Sequence, residues 1–254
     1  MFPIRQILFT IFTFLTTISF GQIPKHLFNE VTGEVYYPKD FTSKTKPLKE
    51  RVGIYHFGES EGEWDFVLLQ NKDSFIVQIF NGIWGQELIS KKETWLTNCM
   101  TFNKVSIQEN KIFFGNYSGL LAEQKNEGKV LKSLLLFCDP IEGRNYGKDS
   151  AEVGNFNFLS SIENFYQQDT TNDYHKLSIK VLNDSYFKSK TKSDLKIMRN
   201  TIYARYGLIF QKGGEMEKYF RKKDWYKAHL KDVSNCLTTI EIQNLNTITR
   251  LEQQ

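Results

Sequence analysis

The sequence predicts an α+β protein in which an N-terminal antiparallel β barrel or sandwich is followed by a small three-helix C-terminal domain. Three observations carry this. Short apolar runs alternate with turn residues between residues 51 and 140, apolar positions recur every three or four residues after residue 176, and the charge changes sign between the two parts. Residues 22–173 hold 16 basic and 21 acidic side chains, a balance of −5, whereas residues 174–254 hold 16 and 8, a balance of +8. With 15 per cent aromatic residues, 21 Phe and 12 Tyr among them, the chain is folded rather than disordered.

The first 21 residues read as a secretory signal peptide. Arg5 precedes an apolar run from Ile7 to Phe20, and small residues, Ser19 and Gly21, stand before Gln22. The run is shorter than the roughly 20 apolar residues that span a bilayer, and the alternative is an uncleaved N-terminal anchor. No other segment approaches membrane-spanning length, so no transmembrane anchor is expected after cleavage. Residues 22–50, with Pro24, Pro38 and Pro47, read as an irregular leader.

Eight strands are expected within residues 51–140, at 52–57, 64–70, 74–80, 94–100, 105–108, 111–114, 119–123 and 130–138. The turns between them are expected at Asn71-Lys72-Asp73, Asn81-Gly82, Glu109-Asn110 and Asn126-Glu127-Gly128. In the third strand Phe75, Val77 and Ile79 face one way while Ile76 and Phe80 are also apolar, so both faces should be covered. Residues 141–175, polar and holding Gly143, Gly147 and Gly154, read as a linker with a short helix near residues 161–168.

Residues 176–254 read as helical. Ser193 is a candidate cap for a helix carrying Leu195, Met198, Ile202 and Tyr206, and Gly207 stands where that helix would stop. Residues 215–222 form a short second helix. Thr238 and Glu241 have the spacing of a capping box ahead of the stripe Ile242, Leu245, Ile248 and Leu251.

The segment from Leu195 to Phe210, with Tyr203-Ala204-Arg205-Tyr206-Gly207 at its centre, resembles the signature of the YARHG family. Lys218-Tyr219-Phe220, Trp225-Tyr226 and the helix of residues 237–251 follow in that family's order. The resemblance covers roughly residues 190–252. It implies an exported bacterial protein whose domain occurs beside varied partners and whose molecular activity is not established. Tyr206 stands where the family has histidine, so no role that needs an imidazole is carried over to this position.

Candidate binding residues are Arg199, Tyr203, Arg205, Tyr206, Tyr219, Arg221, Lys222, Lys223, Trp225 and Tyr226. Two accounts of them stand side by side. In the structural account Tyr203, Tyr206, Phe210, Phe220 and Trp225 form an aromatic core that the arginines close over through backbone and carboxylate bonds. In the functional account Lys218, Arg221, Lys222, Lys223, Lys227 and Lys231 surround Tyr219, Phe220, Trp225 and Tyr226. Such a surface suits an anionic envelope glycan or an acidic protein, and export makes nucleic acid an unexpected partner.

Cys99 and Cys138 both fall among the strands and are the candidate disulfide in an oxidising compartment, with Cys236 free; the alternative is three buried thiols. The four histidines, His26, His56, His175 and His229, are scattered and belong to no catalytic or metal-binding motif, so neither a catalytic residue nor a cofactor is expected. Three function classes follow. The first is a non-enzymatic envelope binding or interaction module. The second is a carrier of small ligands with a lipocalin-like barrel, which needs a cavity lined by Phe and Tyr. The third is an unrecognised hydrolase, which needs histidines and carboxylates to converge. Glu59, Glu61, Glu63 and Asp65 alternate about 6.8 Å apart in an extended chain, which reads as a solvated hairpin tip rather than a calcium site. Thermal unfolding should accordingly be the same in millimolar calcium and in chelator; a rise in melting temperature with calcium alone would show a site at that tip.

Overall fold

A computed structural model describes residues 51–57, 64–126, 129–136, 155–160, 162–166 and 171–254. The expected signal peptide and leader, Glu59, Glu61, Glu63 and Cys138 lie outside the described residues. Eight antiparallel strands follow in order: β1 (Gly53–Phe57), β2 (Trp64–Asn71), β3 (Ser74–Gln86), β4 (Glu93–Gln108), β5 (Lys111–Phe114), β6 (Tyr117–Asn126), β7 (Lys129–Leu136) and β8 (Asn155–Ser160). Each pairs with the next and β8 returns to β1, closing an up-and-down barrel with no free edge between neighbours.

The alternation of side chains along each strand divides the apolar residues into two cores. Tyr55, Trp64, Phe66, Leu68, Phe75, Val77, Ile79, Ile112, Phe114, Leu121, Leu134 and Leu136 form the interior cluster. Phe66 sits opposite Ile79 and Leu68 opposite Val77, while Phe66 and Phe114 meet edge to face at 5.5 Å. The interior is thus filled by large side chains. Arg51, itself buried, donates across the barrel to the Leu121 carbonyl at 2.6 Å, and its own carbonyl accepts from the Tyr55 hydroxyl.

The residues between these positions, Ile54, Val67, Leu69, Ile76 and Phe80, point outward and are equally buried, because the helical part lies on the outer face of β1, β2 and β3. This is the two-sided burial expected of the third strand.

The strands depart from the expected ones at three places. Asn81-Gly82 is not a turn but lies within β3, paired with Asn98 and Thr97. A Cβ on Gly82 would stand 2.1 Å from the Trp95 ring, so the indole occupies the space the glycine leaves and the hairpin continues through Ile83 and Trp84, which pair with Leu96 and Trp95. The chain turns instead at residues 87–92, where the Glu87 amide donates to the Lys92 carbonyl at 2.9 Å. Secondly, the segments expected at 94–100 and 105–108 are one strand, β4, which bends at a register shift opposite β3 between Phe75 and Val77. Thirdly, the strand that closes the barrel, β8, falls within the polar stretch 141–175, where low apolar content concealed it.

The helical part contains α1 (Ile162–Phe165), α2 (Lys176–Ile179), α3 (Asp184–Lys188), α4 (Lys192–Arg205), α5 (Glu215–Phe220), a single 3-10 turn (Ser234–Cys236) and α6 (Thr239–Glu252). The three expected helices correspond to α4, α5 and α6; α1, α2 and α3 precede them in the chain, α1 where a short helix is expected near residues 161–168. Thr191, not Ser193, caps α4: its hydroxyl accepts from the Asp194 amide while Asp194 accepts from the Thr191 amide. Thr238 and Glu241 cap α6 in the same way, as their spacing predicts. Gly207 takes φ +79° after α4, with the His229 ring 2.2 Å from where a Cβ would stand, so both the backbone and the packing require glycine there.

Removing the ring at the centre of the barrel should be costly. Phe66→Ala is expected to lower unfolding free energy by about 3–5 kcal/mol in urea titration, whereas Lys222→Ala on the exposed surface should change it by less than about 0.5 kcal/mol.

Candidate functional site

The sequence-predicted binding residues separate into three groups, and only one of them faces solvent as a site. Arg205 and Tyr206 are drawn inward. They meet Glu241 at the seam between barrel and helices, where Glu241 is fully buried and the Arg205 side chain is 3% exposed. The Tyr206 hydroxyl donates to the Glu241 carboxylate at 2.9 Å and accepts from Gln78 Nε2 at 2.9 Å. Gln78 is the polar position on the outer face of β3 between Ile76 and Phe80. It also donates to the Cys236 carbonyl at 2.8 Å and accepts from the Tyr166 hydroxyl. Arg205 donates to Ser178, Ser178 donates to Glu241, and the guanidinium lies over the Tyr166 ring.

Burial pushes the Glu241 carboxyl above its ordinary range; Arg205, Ser178, the Thr238 amide and Tyr206 pull it back. Burial, with Glu241 adding to it, also holds the Tyr166 and Tyr206 phenols well above theirs. In this position the tyrosine serves as a hydrogen-bond relay between barrel and helix, with its hydroxyl used on both sides.

Arg199 and Tyr203 form the second group, on another face of α4. Arg199 holds Glu252 of α6 through two hydrogen bonds, at 2.7 and 3.2 Å, and Tyr203 is half-buried beside this pair. The six-residue spacing of Arg199 and Arg205 predicts separate faces, and the two arginines do hold different carboxylates.

The third group surrounds Phe220. Tyr219 meets its ring edge on at 4.9 Å, Phe210 stacks on it at 5.2 Å, and Trp225 and Tyr226 pack at 5.9 and 5.8 Å. Tyr226 is buried and donates to the Leu208 carbonyl at 2.6 Å; burial pushes its phenol up to about 12. These rings are mostly structural, but they carry Arg221, Lys223 and Lys227 to the wall of a cleft of about 330 Å³.

The opposite wall is the tip of the β3–β4 hairpin, which leaves the barrel as an arm. Lys92, Glu93 and Thr94 line the cleft, as do Glu87 and Asp224. Burial works to raise the Glu87 carboxyl, but hydrogen bonds from the Ser90 side chain and from the Ser90 and Ile89 amides together outweigh it, hold the group below its usual range and shape the turn. The Leu88 amide donates to the Ala228 carbonyl at 3.0 Å, and His229 Nε2 bonds the Thr97 carbonyl at 3.0 Å, pinning arm to helices. Lys92 and Lys227 form no ion pair among the described residues, whereas Arg221 reaches Glu217 at 3.9 Å. Lys222 is exposed but does not line the cleft.

On the same arm Trp84 and Trp95 are paired across the strands, ring centroids 6.2 Å apart, and are 67% and 39% exposed. Sequence reasoning missed these two, together with Lys92 and Gln78. An Asn-Gly pair masked the first set, and no local pattern marks Gln78 as a seam residue.

Among the described residues the histidines stay apart: His56 bonds Asp65 at 2.7 Å, His229 lies between two carbonyls, and His175 precedes α2. No group of three or more metal-binding side chains occurs among the described residues. Cys99 lies against Cys236, whose thiol donates to the Cys99 carbonyl at 3.4 Å; the pairing of Cys99 with Cys138 expected from strand context involves a residue outside the described ones.

Residues 171–253 match the YARHG domain family. The matched YARHG domain spans α2 to α6, and no family match falls on the barrel. Comparison of the chain with curated proteins and with solved structures finds no match.

The seam makes a signed prediction. Because burial holds the folded pKa of Glu241 above its unfolded value, protonating this carboxyl favours the fold and ionising it costs stability. This contribution is fully present below the ordinary glutamate pKa of about 4.3 and is lost as pH rises through the raised value. Glu241→Gln should remove that slope from stability measured against pH. Glu241→Ala, which leaves Arg205 buried without its carboxylate, should cost about 3–5 kcal/mol at neutral pH.

Proposed function

We propose that the mature chain is an exported, non-enzymatic binding module that takes an anionic envelope glycan in the cleft between the β3–β4 arm and the basic segment of the YARHG domain. The observation that carries this is the convergence of Lys92, Arg221, Lys223 and Lys227 on one cleft. These residues come from segments more than a hundred positions apart, and the paired indoles of Trp84 and Trp95 are exposed on the same arm. Basic groups raise the local concentration of a polyanion, and flat indole faces accept sugar rings.

Export rests on the charged and apolar layout of residues 1–21 and on the kind of protein in which the YARHG domain occurs. The carrier alternative needs a cavity inside the barrel; the packing of Phe66, Phe75, Phe114, Trp64 and Tyr55 into one buried cluster among the described residues favours a filled interior instead. The hydrolase alternative needs a histidine facing a carboxylate in a cleft. His56 and Asp65, the one such described pair, are cross-strand neighbours on β1 and β2.

Residues 22–254 should co-sediment with insoluble cell-wall sacculi at low salt and be released at high salt. The double variant Arg221→Glu, Lys227→Glu should weaken this by about tenfold, a loss of roughly 1.4 kcal/mol, without a change in melting temperature. Equal sedimentation of wild type and double variant would overturn the cleft. Failure of both to sediment, with retention on an acidic protein surface instead, would move the partner from glycan to protein.

A further inference from the structure

Cys99 on β4 and Cys236 in the 3-10 turn come from the two halves of the molecule and meet at the seam. The Cys236 thiol donates to the Cys99 carbonyl oxygen at 3.4 Å. Thr101 Oγ1, 3.8 Å from the Cys99 sulfur, donates to the Cys236 carbonyl at 2.6 Å, so one side chain touches the Cys99 thiol and the Cys236 backbone together. Gln78 Nε2 reaches the same carbonyl at 2.8 Å and the Cys99 sulfur at 3.7 Å. Asn103 adds a third clamp, donating to the Leu237 carbonyl at 3.0 Å and accepting from the Thr239 amide at 2.7 Å.

We propose that Cys99 and Cys236 form a disulfide in the exported protein, covalently joining the barrel to the YARHG domain. The oxidant is a disulfide, either of a thiol–disulfide oxidoreductase or of oxidised glutathione. The Cys236 thiolate attacks one sulfur of that disulfide, forming a mixed disulfide and expelling one thiolate. Cys99 then loses its proton and attacks the Cys236 sulfur, expelling the second. The protein gives up two electrons and two protons, and the oxidant leaves as two thiols. Cys236 is only 4% exposed once docked, so the exchange belongs to folding, before the 3-10 turn seats against β4. The bond closes a loop across a separation of 137 residues, a large restriction of the unfolded chain.

The proposal rests on export for its oxidising surroundings, but its test does not. Full-length mature protein, refolded in oxidised glutathione, is alkylated under denaturing conditions without reduction and its proteolytic peptides are read by mass spectrometry. The expected result is a peptide containing Cys99 linked to one containing Cys236, with alkylation of Cys138 alone. The melting temperature should exceed that of the reduced protein by about 10 °C, and Cys236→Ser should abolish both the linked peptide and that difference. Three alkylated cysteines, or a link from Cys99 to Cys138, would overturn the pairing. Because the oxidant is supplied in the tube, either result stands whether or not the chain is exported or binds a glycan.

Discussion

One buried carboxylate organises the join between the two halves. Glu241 caps α6 through Thr238, accepts from Tyr206 and Ser178, and faces Arg205, all without contact with water. A charge in such a place is tolerated only when its partners are complete, so each neighbour is constrained in turn. Arg205 and Tyr206 must point inward from the end of α4, α2 must present Ser178, and the barrel must present Gln78 to Tyr206. Arg205 and Tyr206 thus spend their polar groups inside the molecule, Arg205 on Ser178 and Glu241 of the helical part and Tyr206 on Glu241 and on Gln78 of the barrel.

That assignment redistributes the positive charge of the C-terminal part. Arg199 and Arg205 are paired internally with Glu252 and Glu241, so the outward-facing positive charge rests on other residues, among them Arg221, Lys222 and Lys227 after α5 and Lys180, Lys188, Lys192 and Lys212 elsewhere. The aromatic cluster around Phe220 supplies the rigidity that aims those after α5. Structure and binding are therefore not rival accounts of residues 218–231: the rings build the wall and the basic side chains line it.

Among the described residues the barrel interior is lined by packed aromatic and aliphatic side chains. The β3–β4 arm extends beyond the other strands and returns to touch the helical part at Ala228 and His229. The arm and the basic segment are both held by backbone hydrogen bonds, which makes the cleft a feature of the fold rather than of loop position.

Local pattern was sufficient for much of this architecture. Alternation in residues 64–80 foretold two covered faces, the Thr238–Glu241 spacing foretold the cap of α6, and the order of tyrosines, arginine and glycine after Leu195 foretold the family. These features depend on contacts within a few residues, which the sequence records directly. The tertiary structure alone decided the rest. Asn81-Gly82 became strand because Trp95, thirteen positions on, fills the space over Gly82. Residues 155–160 became the closing strand because β1 and β7 each left an edge to pair. Cys99 found Cys236, and Lys92 found Lys227, through pairings and docking whose partners lie more than a hundred residues away, where no spacing rule reaches.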